Sequence, residues 1–494
     1  MLTRRISSLR LVGGFLLGLS LHTPTARANG RMPGATELSL SGSDPSYLLA
    51  RATYGLVQSF DRGASWSWIC EQAIDVSGET DPPLAPTADG SLILLPLTGS
   101  TLISRDRGCS WSSVPGPLQD RKAVDLTHDP GDHGRVLVVT STVDTIDSQG
   151  LITYENVLVE TRDSGARWSE IGKLRSDFKI ETIEVAASDP RRIYVSGTAS
   201  ENPLIGVIER SEDGGQTWVR TTLDLPPTSG SLFISAIDPH RPDRLWVRVP
   251  ANGDRFGLFP AMLLMSNDKG ASFAMLAGTT RGMLGFALSP DGTQLSYGGP
   301  ADGLFVGPAD GGGEFVHVSD LSVRCVRWTE SGMYVCGTEP NDPFSIGIST
   351  DSGASFQPIY RMRDTCPQEC AVGTPFASRC EQPWRGLEPR IATSSVDCAV
   401  TWAKPELDAG VGNPVTAVDA GAAETGMAVS AGAAADAGIP RSVHASNGCA
   451  VRRPYAGARL ARCLLLSLLI VVRARWFRGR AGRTTKGLHK EHST

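Results

Sequence analysis

From about residue 35 to residue 365, short runs of alternating apolar and polar residues are cut by Pro, Asp and Gly. The cadence is clearest at Ile180–Ala186, Ile193–Gly197 and Gly206–Ser211, with Asp189-Pro190 between the first two runs. It returns as Leu232–Ile237 and Leu245–Val249 around Asp238-Pro239, and as Phe286–Ser289 before Pro290-Asp291-Gly292. Val323–Trp328 precedes the pair Glu330-Ser331 in the same way. Period-two alternation is what half-buried strands require, and Pro, Asp and Gly are what tight turns require. The chain therefore predicts an all-β domain built from sets of four antiparallel strands.

A phrase, [ST]-x-D-x-G-x-[ST]-[WF], punctuates the strands. It stands at Ser59–Trp66, Ser104–Trp111, Thr161–Trp168, Ser211–Trp218, Ser266–Phe273 and Ser349–Phe356. The third copy has Arg167 where Ser or Thr is expected, and a worn copy at Pro308–Phe315 keeps Asp310, Gly312 and Phe315. The aspartates are Asp61, Asp106, Asp163, Asp213, Asp268, Asp310 and Asp351, spaced by 41 to 57 residues. Spacing of that order signals an array of small units, most simply propeller blades. Each phrase reads as a clasp between two strands. Asp accepts backbone amides, Gly supplies the left-handed turn, and the terminal ring is buried between neighbouring units. The phrase resembles the Asp-box (BNR) repeat of sialidases, sortilin-type receptors, two-propeller xyloglucanases and photosystem assembly factors. The resemblance implies a single seven-bladed β-propeller, six blades being the alternative, with the boxes structural and away from the functional face.

Charge is unevenly spread. Residues 449–494 carry 11 Lys/Arg against one Glu, and residues 1–28 carry four Arg and no acid, which leaves a net charge of −19 between them. An acidic body argues against nucleic acid as a partner. Residues 1–28 read as a Sec signal peptide, with Arg4, Arg5 and Arg10, the apolar stretch Leu11–Leu21, and Ala26-Arg27-Ala28 at the cleavage site. Residues 404–447 read as an Ala/Gly/Asp-rich disordered linker. In residues 448–480, Cys449, the apolar run Cys463–Val472 and an Arg cluster resemble the myxobacterial C-terminal sorting signal, a short apolar tail helix and a possible membrane tether. A basic tail, 481–494, follows.

Ten cysteines in an exported chain predict disulfides. Cys325 and Cys336 flank Glu330-Ser331 symmetrically, so a two-residue hairpin sets them opposite each other. Cys70 and Cys109 lie beside adjacent boxes and are expected to link blade 1 to blade 2. Cys366, Cys370, Cys380 and Cys398 suggest two bridges within a Cys-rich extension, 366–403, packed on the last blade.

Box turns fall between third and fourth strands, so second-to-third connections fall at the opposite end of each blade. Those are the long ones here: Val143–Asn156, Thr198–Ile205, Pro250–Ala261 and Glu339–Ser345. Their Asp144, Asp147, Tyr154, Glu155, Glu201, Asp254, Arg255, Phe256, Glu339 and Asp342 are the candidate binding residues, since function concentrates on loops held by a rigid frame. The expected function is a binding or scaffold module, a monomer without cofactor or metal, for a glycan or protein at the cell envelope. The alternative is a sialidase-like glycoside hydrolase. That family's site needs three arginines and paired carboxyl groups. Its Phe/Tyr-Arg-Ile-Pro phrase is missing here, and Arg51, Arg121, Arg324 and Arg327 are the arginines available for a triad.

Overall fold

The computed structural model describes residues 34–41, 43–76, 82–97, 99–201, 204–252, 259–391 and 398, with backbone alone at Ser200 and Glu201. The segments expected to be a signal peptide, a linker, a sorting segment and a basic tail all lie outside the described residues.

Seven four-stranded antiparallel blades form a propeller ring, so the six-bladed alternative falls. Blade 1 consists of Ala35–Leu40, Leu48–Ala52, Gly55–Ser59 and Trp66–Ile69. Blade 2 runs from Leu84 to Ser113, blade 5 from Phe233 to Thr279 and blade 6 from Gly285 to Ser319. Blade 3 is Ala123–Asp129, Asp132–Ile146, Ile152–Thr161 and Ser169–Lys173. Blade 4 is Lys179–Ala186, Asp189–Glu201, Leu204–Ser211 and Val219–Asp224. Blade 7 is Cys325–Thr329, Gly332–Cys336, Ile346–Ser349 and Gln357–Tyr360.

The repeated phrase forms the same turn at each full copy. In blade 4, Ser211 Oγ accepts Gly215 N at 2.7 Å, while Asp213 accepts Thr217 N at 2.9 Å and Thr217 Oγ at 2.5 Å. The backbone amide common to these turns lies four residues beyond Asp. Arg167 fits because its Nε reaches Asp163 Oδ2 at 3.0 Å, taking the place of the missing hydroxyl. Gly215 sits at φ +96 with Leu158 of blade 3 so close that a Cβ would stand 2.5 Å from it. The terminal ring packs on the same preceding blade: Trp218 joins the Leu158 cluster, and Phe273 joins that of Ile208 in blade 4. Burial of such a side chain contributes about 1.5–3 kcal/mol. Each turn thus ties its blade to the one before.

A second device ties blades 3, 4 and 5 each to the one after. Arg135 and Arg192 are the fourth residues of the second strands of blades 3 and 4, and Arg244 immediately precedes that of blade 5. Arg135 Nη1 donates to Pro190 O at 3.0 Å, Arg192 Nη1 to Asp243 at 2.7 Å and Arg244 Nη2 to Gly292 O at 3.0 Å. Arg135 also holds Asp129 (2.9 Å) and Glu160 (2.6 Å), all three side chains being buried. Arg244 is likewise buried against Asp238.

The ring closes at blade 1. Thr365–Pro367 adds a fifth, parallel strand beside Trp66–Trp68. Trp66 Nε1 donates to Ile359 O of blade 7 at 2.8 Å, and the Tyr54 and Tyr360 hydroxyls meet at 2.6 Å. The helix Pro375–Ile391 buries Phe376, Cys380, Trp384 and Ile391, a single stripe at helical spacing. That stripe lies on blade 1, with Trp384 5.5 Å from Trp68. The extension therefore covers the first blade rather than the last, its strand Thr365–Pro367 and its helix both seated on blade 1.

Four disulfides result. Cys325 pairs with Cys336 across the expected hairpin. The expected Cys70–Cys109 link is absent: Cys70 bonds Cys380 and Cys109 bonds Cys370. Only Cys366–Cys398 lies within the extension. The extension packs against both cysteines: Cys380 on its helix joins the cluster that contains Cys70, and Phe376 N donates to Cys109 O at 3.2 Å. Four such bonds belong to an oxidising setting. Among the described residues no helix is long and apolar enough to cross a membrane.

Candidate functional site

The second and third strands of blade 3 outrun their neighbours. Pairing with Ala123–Asp129 ends at Thr140, and pairing with Ser169–Lys173 ends at Val157. Beyond these the two strands continue as a ribbon, through Ser141↔Asn156, Thr142↔Glu155, Val143↔Tyr154, Thr145↔Thr153 and Ile146↔Ile152, its base still held by Ser141 N to Lys122 O (3.0 Å), Leu174 N to Asn156 O (3.0 Å) and Tyr154 N to Ser176 O (2.8 Å). Asp147 closes the tip, its Oδ1 accepting Gln149 N and Leu151 N, both at 2.8 Å. The stretch expected to be a loop is thus a β-ribbon, and its Val, Thr, Ile and Tyr content suits strand pairing.

The ribbon is two-faced. Directly paired residues share a face and successive residues alternate. Ser141 Oγ accepts Ile180 N at 3.4 Å and Asn156 Nδ2 donates to Phe178 O at 2.8 Å, so this pair faces the entry to blade 4. Thr142 Oγ1 accepts Lys122 N and Glu155 accepts Arg121, both at 3.0 Å, so the other face meets the lead-in to blade 3. Two residues on, Val143 and Tyr154 share the face of Ser141. The register shift between Val143 and Thr145 absorbs Asp144 and returns Ile146 and Ile152 to that same face. Thr145 and Thr153 remain on the polar face, with hydroxyls 2.7 Å apart. Val143 is 52% exposed, Ile146 64%, Ile152 37% and Leu151 at the tip 63%. An apolar face stands uncovered at the end of the ring opposite the box turns.

The innermost strands form a second cluster of chemistry. Each has one edge without a strand partner, and its amides need acceptors. Asp125 Oδ2 accepts Ile183 N and Thr182 Oγ1 accepts Ile234 N, both at 3.0 Å. Thr127 donates to Glu184 at 3.1 Å, His128 Nε2 meets Pro86 O at 2.7 Å, and Arg327 Nε donates to Leu38 O at 2.9 Å. Burial pushes Glu184 up to about 7. Burial also raises Asp125 well above the ordinary range, with Glu184 and Glu37 adding to the effect. A carboxyl poised near neutrality suits proton transfer. Here each is engaged by the adjoining blade, which makes these groups joints of the inner ring.

The proposed arginine triad is dispersed over separate partners. Arg51 holds Glu37 at 2.9 Å, Arg121 holds Glu155 and Glu170, Arg324 donates to Thr338 at 3.1 Å, and Arg327 serves Leu38. Among the described residues no cluster of His, Cys, Asp or Glu is placed to hold a metal. A cavity of about 820 Å³ lies beside the box turns of blades 1 and 2, bordered by Phe60, Arg105, Arg107, Gln368 and Glu369. The Arg107 guanidinium lies 4.4 Å over the Phe60 ring, which stacks on Tyr47 at 4.9 Å. Nothing in the sequence motif marks this spot, since it arises where the extension meets the first two blades.

The candidate loop residues divide. Asp144, Asp147, Tyr154 and Glu155 come together on the ribbon. Glu339 and Asp342 belong to the frame of blade 7: Glu339 accepts Ser345 Oγ at 2.6 Å and Met362 N at 2.8 Å, while buried Asp342 accepts Ser322 N and Thr338 N. Phe344 of the same connection is core. The side chain of Glu201, and all of Asp254, Arg255 and Phe256, lie outside the described residues. The box aspartates, Asp310 included through Gly312 N at 2.9 Å, are held within their turns.

No protein-family model and no curated protein matches the chain. Among solved structures it is similar to YCF48 from Cyanidioschyzon merolae, at 14% identity and a TM-score of 0.42, over 63% of this chain and 94% of that one. It is also similar to the GH74 xyloglucanase from Xanthomonas campestris, at 16% identity and a TM-score of 0.30, over 66% of this chain. The match spans 64% of the xyloglucanase's length. These likenesses concern the β-propeller fold and leave the site to be argued from this chain's own residues.

Proposed function

We propose that the chain is an exported binding or scaffold module whose partner, a glycan, peptide or envelope protein, engages the end of the ring opposite the box turns. The observation that carries this reading is the blade 3 ribbon, whose apolar face is built by register yet left in solvent. Monomeric proteins rarely leave contiguous large apolar side chains exposed without a partner for them. The resemblance of the turns to Asp-boxes supports the same reading, since it assigns the opposite end to joinery. Engagement of the box aspartates, inner-ring carboxyls and triad arginines within the frame counts against the sialidase-like alternative. The Cys–apolar–Arg order of residues 448–480 suits display at the cell surface.

A glycan and peptide array, run beside a sialoside-cleavage screen, tests this with the full chain and its Ile146→Asp/Ile152→Asp variant. Binding that the variant loses while keeping its melting temperature is the expected result. Sialoside turnover by the wild type overturns the reading.

A further inference from the structure

The ribbon's inner edge is as uncovered as its apolar face. Ser141 N donates to Lys122 O, so the main-chain groups of Ser141 point away from the third strand and toward the inner edge of the blade. Val143, two residues on, points the same way, and after the bulge Ile146 does too. Among the described residues no backbone partner meets Val143 or Ile146 on that edge. An amide and a carbonyl from each therefore stand free beside the apolar side chains of the same residues. An open strand edge is a template for another extended chain.

Charge selects which chain. Asp144 in the bulge and Asp147 at the tip flank this edge, and neither has a cationic partner among the described residues. At the ribbon's base Arg121 is already engaged by Glu155 and Glu170, and Lys122 meets Ser141 and Thr142 through its backbone, forming no ion pair with Asp144 or Asp147 among the described residues. A second copy pairing ribbon to ribbon brings Asp144 and Asp147 against their own kind, and an anionic lipid surface meets the same repulsion. An extended segment with alternating apolar and basic residues meets none. Its apolar side chains extend the face of Val143, Ile146, Ile152 and Tyr154, and its Lys or Arg side chains meet the two carboxylates.

We propose that the blade 3 ribbon captures an extended basic–apolar segment of a partner protein by strand addition along Val143–Ile146, a refinement that rests on the binding reading above. Three octapeptides probe it: alternating Lys and Val, alternating Glu and Val, and the Lys–Val peptide methylated on every second backbone nitrogen. Each is titrated against the full chain by fluorescence anisotropy at low ionic strength. The Lys–Val peptide is expected to bind at least about tenfold more tightly than the Glu–Val peptide. Backbone methylation removes that binding, Asp144→Lys reverses the charge preference, and Ile146→Asp abolishes binding with the fold intact. Equal affinities for the two charge patterns, full binding of the methylated peptide, or indifference to Ile146→Asp overturns the proposal. So does a concentration-dependent dimer dispersed by Ile146→Asp, which assigns the edge to a second copy. Binding to phosphatidylglycerol vesicles that the same variant loses assigns it to lipid and overturns the proposal too. Should all three peptides fail while an array partner is still lost from Ile146→Asp/Ile152→Asp, strand addition falls and the binding face stands.

Discussion

Replacing Arg135 by Met removes a guanidinium that holds two carboxylates of blade 3 and a carbonyl of blade 4. Its side chain is 4% exposed, and those of Asp129 and Glu160 are 5% and 8% exposed. Stripping one partner from a buried ion pair costs about 3–5 kcal/mol, because the charges left behind keep their desolvation penalty. Some relief is available: Glu160 retains Arg162 Nε at 2.8 Å, and Asp129 retains Gly131 N at 2.9 Å. The expected loss is therefore near the lower bound, about 3 kcal/mol. Arg244→Met should cost about as much, since Asp238 is 2% exposed but keeps Arg241 and the amides of His240 and Arg241, both at 2.9 Å. Arg192→Met is different. Its partners Asp243 and Glu212 are 47% and 46% exposed, so water rescues them and the loss is about 1 kcal/mol or less. Equilibrium denaturation of the three variants, with Asp129→Asn/Arg135→Met as the paired control, reads the order directly. Three equal losses would refute the ranking by burial, and a loss under about 1 kcal/mol at Arg135 would refute the claim that it binds blade 3 to blade 4.

Other consequences follow from the titrating groups and the closure. Burial raises Glu184 from 4.5 to about 7, so its ionised form is disfavoured in the fold and stability falls as pH climbs through that window. Glu184→Gln should match the wild type at pH 4 and exceed it by about 2–3 kcal/mol at pH 8; a difference that does not change with pH contradicts this. Asp213, Asp268 and Asp351 are each held down to about 2, chiefly by the hydroxyls of Thr217, Ser272 and Ser355. The stability they lend is complete above the ordinary carboxyl value of 3.8 and fades as pH falls toward 2, so Asp213→Asn should flatten the acid limb of a melting-temperature profile. Removing Cys70 and Cys380 together, with Cys109–Cys370 intact, reopens an effective loop of about 50 residues and costs about 4 kcal/mol. A denaturation midpoint shifted by less than about 1 kcal/mol would show that Trp68 and Trp384 hold the helix unaided.

The repeated phrase made most of the frame legible, because its Asp, Gly and terminal ring each answer to one local need. The hairpin at Glu330-Ser331 was readable for the same reason: two residues between alternating runs leave little choice of register, and Cys325 and Cys336 follow. Long-range matters were not readable. Cys380 finds Cys70 only because the ring brings the chain's end back to its first blade, and no spacing encodes that. The ribbon lay in between. Val143, Ile146, Ile152 and Tyr154 do alternate, but Asp144 breaks the period by one, and only pairing reveals that the break is a bulge. Glu339 and Asp342 read as binding-loop carboxylates on residue type and position, whereas backbone amides claim both. The arginines at 135, 192 and 244 do carry a sequence signal: each stands in the repeated stretch between an Asp-Pro pair and the next apolar run.

The order of the sulfurs along the chain sets a problem for biosynthesis. Cys70 emerges first and Cys109 next, yet their native partners are made 310 and 261 residues later. An oxidase that joins thiols as they appear would couple those two to each other, the very bond the native molecule avoids. Correct maturation must then depend on a shuffling catalyst, or on thiols kept reduced until the ring has come round. Yield from a host should accordingly respond more to isomerase activity than to oxidising power.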